Sequence, residues 1–197
     1  MGTLSSVVAK VRLHIREEAT EYFTDANFIS MANDILNSFY DDMRGVNCKA
    51  IMSSASTTLS ASVDTLAIAS KDAIVVHGVY ADKTNLVPRY SELYPDRFSY
   101  IETSSGITFY NQGTEAIIAY YWDARPTALT ALADTLPWDG EWDDALRWTL
   151  ILTCKMIRQY DISTAAIMAN NVRERALARM IQKHGALTYS LAGSYVY

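Results

Sequence analysis

Two stretches with apolar residues at helical spacing open the chain and two close it, and a block rich in Thr, Ser, Tyr and β-branched residues separates the pairs. This order points to an α+β fold, because a 3.6-residue stripe and a strand-forming block call for different elements. Leu4, Val7, Val8, Val11 and Ile15 mark the first stripe, with Lys10, Arg12, Arg16 and Glu17 off it, and predict a helix over about 4–18. Phe28, Met31, Ala32, Ile35, Leu36, Phe39, Tyr40 and Met43 predict a second over about 25–44. Thr24 or Asp25 offers its N-cap and Gly45 its stop. A third, over about 141–160, carries Trp142, Ala145, Leu146, Thr149, Leu152, Met156, Ile157 and Tyr160 on one face. Trp148, Leu150 and Ile151 make much of its remainder apolar, so it is expected to pack between neighbours. Ser163 or Thr164 is expected to cap the fourth, over about 164–184, which Gly185 ends.

From about 46 to 126 the period shortens to that of strands. Asn47–Met52, Val63–Ile68, Ala73–Tyr80, Phe98–Glu102, Gly106–Asn111 and Glu115–Asp123 are the expected segments, with Ser-, Lys/Asp- and Gly-containing turns between them. The last two read as a hairpin across Gln112–Gly113. Pro88–Pro95 reads as a single helical turn, and Thr127–Asp139 as a linker into the third helix. Residues 1–185 therefore read as one domain, a bundle of about four helices with an inserted, mostly antiparallel β subdomain. Residues 186–197 read as an extended tail for assembly contacts, uncharged and marked by Tyr189, Leu191, Tyr195, Val196 and Tyr197.

Composition narrows the function classes. A net charge of −5 argues against a dedicated nucleic-acid binder, and apolar runs such as Ala116–Trp122 fall short of the roughly 20 residues a membrane helix needs. Charges interrupt the first residues where a signal peptide would have its apolar core, so a reducing cytoplasm is the expected site of synthesis. Cys48 and Cys154 are then expected to be buried free thiols. His14, His77 and His184 have no partners at ligand spacing, and no phosphate-binding glycine loop or serine-nucleophile motif occurs; no metal, cofactor or catalytic site is expected.

Charge is nonetheless organised. Residues 115–144 hold seven acids against one base, whereas 155–184 hold six bases against two acids. Asp139 precedes the third helix, and Glu141, Asp143 and Asp144 sit in its first turn, where the dipole favours them. With Trp138 and Trp142 alongside, the same carboxylates suggest an alternative, a cell-wall glycan hydrolase acting through Glu141. Arg173, Arg175, Arg179 and Lys183 form a basic strip on the fourth helix. It suits a subunit or partner contact, or, as a further alternative, a DNA-binding accessory role. Blocks of opposite sign suit a heterologous contact repeated around a closed ring.

The order of parts also resembles a known family. The run YFTDANFISMANDILNSFYDDM holds Tyr22, Phe23, Thr24, Asp25, Phe28, Ile29, Asn33 and Asp34, and the phrase Leu136–Pro137–Trp138 precedes the closing helices. Over about Leu4 to His184, with soft motifs, the chain resembles the head–tail adaptor (connector) proteins of tailed bacteriophages. The resemblance implies a structural, non-enzymatic subunit of a homo-oligomeric ring, typically of twelve, in the virion neck after assembly in the host cytoplasm. Its implied partners are the portal protein above, tail proteins below and the double-stranded DNA passing through its channel, with no membrane. The tail from Thr188 would reach the portal.

Overall fold

The computed structural model describes residues 2–16, 22–59, 65–67, 76–81, 85–93, 98–103, 106–110 and 116–186. The expected tail residues Tyr189, Leu191, Tyr195, Val196 and Tyr197 lie outside them. The chain divides into two compact units, one of residues 1–50 with 126–197 and one of residues 51–125.

The first unit holds four helices, α1 (Leu4–Ile15), α2 (Asp25–Gly45), α3 (Asp143–Ile157) and α4 (Ser163–His184). α1 buries the five stripe residues and stops three residues short of the expected end, because Arg16 turns into the left-handed region at φ 56°. α2 starts at Thr24 through a reciprocal capping box. Asn27 N–H donates to Thr24 Oγ1 at 3.2 Å, and Thr24 N–H donates to Asn27 Oδ1 at 2.9 Å. Gly45 is its last helical residue, and the chain turns away two residues later at Asn47, with φ 52°.

α3 packs against α1, α2 and α4, as its nearly all-round apolar pattern requires. Of the face expected for it, Trp142, Ala145 and Leu146 are buried, but its second half departs: Leu150, Ile151 and Cys154 are buried, while Met156, Ile157 and Tyr160 are exposed. Thr149 and Thr153 satisfy their hydroxyls on the carbonyls of Ala145 and Thr149. The cap of α4 also differs. Ser163 is the first helical residue, and its N–H and Oγ donate to the Asp161 carboxylate at 3.0 and 3.1 Å. Cys48 and Cys154 are buried free thiols.

The segment between strand region and α3 is bound to this unit. Asn33, mid-way along α2, donates from Nδ2 to the Leu129 carbonyl at 3.0 Å and accepts the Leu129 N–H on Oδ1 at 2.8 Å. Asp134 Oδ2 accepts the N–H groups of Thr130 and Ala131, closing a turn, and Leu4, Ser5 and Leu136 join this segment to the chain start through backbone hydrogen bonds.

The second unit contains two sheets. β1 (Met52–Leu59), β3 (Val76–Ala81), β4 (Asn85–Leu86) and β7 (Ala116–Asp123) pair antiparallel in the order β1-β7-β3-β4. β2 (Thr65–Ala67), β5 (Ser99–Thr103) and β6 (Gly106–Tyr110) form a second, β2-β6-β5. Leu59, Val79, Tyr100, Ile107, Phe109, Ile118 and Tyr120 from both sheets share one core with Val87, which follows β4.

Three expectations are corrected here. The expected hairpin of Gly106–Asn111 with Glu115–Asp123 does not form: β6 is flanked on both edges by β2 and β5, and β7 by β1 and β3, so neither has an edge left for the other. Asn47–Met52 is a turn and a 3-10 segment (Lys49–Ile51), and the strand begins only at Met52. The described part of Pro88–Pro95 is not helical at its start. Tyr90 N–H donates to the Tyr100 carbonyl and Tyr100 N–H to that of Pro88, so this stretch runs along β5.

Candidate functional site

The acids at the start of α3 and the bases of α4 meet within one chain. The short connection after α3 folds α4 back along it, bringing residues 141–144 beside residues 175–183. Glu141, Asp143 and Asp144 line one side of a cleft of about 270 Å³, and Arg175 and Arg179 line the other. Lys183 Nζ lies 3.4 Å from Glu141 Oε1, and Arg147 Nη2 lies 3.3 Å from Asp144 Oδ1. The expected blocks of opposite sign are therefore partly spent on each other. Arg175 and Arg179 remain exposed.

Arg173 does not belong to that strip. It crosses from α4 to α2, where its Nε donates to Asp42 Oδ2 and its Nη2 donates to Ser38 Oγ at 2.7 Å. Its guanidinium sits 5.2 Å from the Phe39 ring centroid. This pairing holds two helices together.

The tryptophans separate likewise. Trp142 is fully buried and stacks on Phe39 with centroids 4.2 Å apart, so it presents no face to a sugar. Trp138 is half-buried, 6.3 Å from Trp142, and holds a left-handed φ of 60°. The Asp139 side chain lies outside the described features.

Burial, and then the neighbouring Asp144, push the Asp143 carboxyl above its ordinary range, while Lys10 acts the other way. The cause of that burial is packing: a Cβ on Gly2 would stand 2.0 Å from Asp143 Oδ2, so the backbone at Gly2 lies directly on the carboxylate. A raised pKa suits a general acid, but this carboxyl is covered on that side by its own chain. Among the described residues no group of three or more His, Cys, Asp or Glu can hold a metal ion, and no helix is long and apolar enough to cross a membrane.

The motif residues behind the family resemblance receive structural roles. Thr24 caps α2, Phe23 and Phe28 are buried, Asp25 accepts from Arg12 Nη2 at 2.9 Å, and Asn33 clamps Leu129. Asp34 is exposed. Compared with known protein families and with curated proteins, the chain matches no family model and no curated sequence.

A second concave region, which helical periodicity alone does not single out, lies between α1 and α3, where Lys10, Leu13, His14 and Arg16 face Arg147, Trp148 and Ile151. Its signal was present: Lys10, Leu13 and His14 recur at i, i+3 and i+4, off the buried stripe.

Proposed function

We propose that this chain is a structural head–tail adaptor of a tailed phage, a ring subunit beneath the portal that extends the DNA channel and offers the tail its platform. The observation that carries this reading is the discontinuous helical unit: two helices, an inserted β unit, then two helices of which α3 packs on α1 and α2, with the Asn33–Leu129 clamp holding the segment that leads into them. That is the order of parts on which the resemblance rests. The exposed Arg175 and Arg179, beside the acids of the same cleft, give an edge of mixed sign suited to a repeated heterologous contact. Other partners in this reading are the portal, tail proteins and passing DNA, and the place is the virion neck.

The test is attachment. Purified chain mixed with the portal protein of the same genome should co-sediment, and a truncation lacking residues 186–197 should keep its circular dichroism but lose attachment. A truncated chain that attaches normally would remove the tail from this reading. A chain that never attaches would remove the reading itself. A peptidoglycan zymogram of wild type beside Glu141→Gln addresses the hydrolase alternative. Lysis that disappears in the variant would replace the structural role with a catalytic one.

A further inference from the structure

We propose that the groove between α1 and α3 docks an acidic, amphipathic segment of a partner protein. This goes beyond the adaptor reading and stands without it, since it rests on one surface of the helical unit.

The starting observation is Leu13, which is 82% exposed near the end of α1. A lone exposed leucine is unremarkable in a globular protein. Leu13, however, forms the ridge between two concavities. One, of about 530 Å³, separates α1 from α3 and has Trp148 and Ile151 on its far wall. The other, of about 650 Å³, runs along the opposite side of α1 past Val8, Ala9 and Leu132. Leu13 and Arg16 border both. An apolar ridge between two apolar-walled hollows has the form that receives an amphipathic segment.

The charged side chains that line it are cationic. Lys10 and Arg16 flank Leu13 on α1, and Arg147 faces them from α3. Among the described residues neither Lys10 nor Arg16 has a carboxylate within ion-pair distance. Arg147 pairs with Asp144, its guanidinium 5.6 Å from the Trp148 ring centroid, and Arg12 on the other side pairs with Asp25. His14 packs edge-on against Trp148 at 5.1 Å. Burial, and then Lys155 and Arg147, hold its pKa below the ordinary value, which agrees with a cationic surrounding. Among the described residues the opposing charges close by are those of Asp143, toward Lys10, and Asp144; Glu17, Glu18 and Glu21 follow Arg16 in the sequence, outside the described residues.

Cations interleaved with an exposed leucine and a half-exposed tryptophan select the occupant. Phosphates of a nucleic acid can pair with Lys10, Arg16 and Arg147 but bring nothing apolar to cover Leu13. A peptide with Asp or Glu beside Leu, Ile or Phe at helical spacing satisfies both.

The experiment is fluorescence anisotropy with the full chain and a labelled synthetic peptide that carries Glu and Leu at i, i+3 and i+4 spacing. Comparison probes are the same peptide with every Glu replaced by Lys, and a short DNA duplex. The acidic peptide should bind, more weakly as salt rises, and the Lys peptide should not. Leu13→Glu and Arg16→Glu should each weaken binding by about tenfold or more. Both positions are exposed, so unchanged thermal melting will show that the fold is intact, and Arg175→Glu on α4 should leave binding unaltered. Three binding results would overturn the proposal. These are no acidic-peptide binding up to about millimolar concentration, binding indifferent to Leu13→Glu, and duplex DNA bound in preference to the peptide. Self-association in the ultracentrifuge that Leu13→Glu abolishes would also overturn it, giving the groove to a second copy.

Discussion

Asn33→Ala should destabilise the helical unit by about 2–4 kcal/mol. The Asn33 side chain supplies both partners of one peptide unit, donating to the Leu129 carbonyl at 3.0 Å and accepting from the Leu129 N–H at 2.8 Å. Each such hydrogen bond contributes about 1 kcal/mol net, and a buried group left without a partner costs about 1–3 kcal/mol. The Leu129 side chain is buried but both hydrogen bonds are only part-buried, so water reaches the two orphaned groups in part and the lower half of the range, about 1–2 kcal/mol for each, applies. Asn33→Asp is the informative companion. It keeps an acceptor for the N–H but sets a carboxylate oxygen against the carbonyl, so its loss should ease in acid. The assay is urea unfolding followed by tryptophan fluorescence in a Trp122→Phe background, because Trp122 lies in the β unit and the other three tryptophans in the helical unit. A lower midpoint at unchanged m-value reports stability alone. Amide exchange at Leu129 gives the local readout. A loss below about 0.5 kcal/mol, the range of ordinary surface changes, with Leu129 protection intact, would refute the clamp.

Two further expectations follow from the same unit. Arg173→Ala and Asp42→Ala should each cost about 1.5–3 kcal/mol, the range for hydrogen bonds to charged groups. The double variant should cost less than the sum of the two, since the residues share one bond; strict additivity in denaturant titrations would return Arg173 to the surface strip. Hydrogen bonds from Ser163, the backbone one first, hold the Asp161 carboxyl below its ordinary range. Its contribution is therefore present above the unfolded pKa and lost as pH falls through the lower folded value. Asp161→Asn should lower the melting temperature at neutral pH and converge with wild type in strong acid. A difference that persists at the lowest pH would contradict the capping role.

The helices were legible because each carries a 3.6-residue stripe, and α2 also carries its cap at Thr24 in sequence. α3 was legible as a helix, in phase at Trp142, Ala145 and Leu146 but not beyond them. With apolar residues nearly all round, several faces fit the pattern, and only its neighbours select Leu150, Ile151 and Cys154 over Met156, Ile157 and Tyr160. The strands were read worst where pairing is non-local. β1 (MSSASTTL) has too few apolar residues to show an alternation, and it stands as a strand because β7 supplies the large side chains opposite it. Likewise the Gln112–Gly113 turn signal between β6 and β7 is overruled by the partners that each strand finds elsewhere. Glu141, Asp143, Asp144, Arg175, Arg179 and Lys183 were visible as charges. Their meeting in one cleft follows from folding α4 back along α3, which pairs positions about equally far from residue 160. The split of Arg173 from the strip could not be read, because it depends on Asp42 in α2, 131 positions away.

Electron microscopy of the purified chain incubated with the portal protein of the same genome tests the central claim most directly. The account predicts a closed ring of copies added coaxially to the portal, with the helical unit resolved in each copy. Portal particles that stay bare at saturating concentrations of folded chain would contradict it.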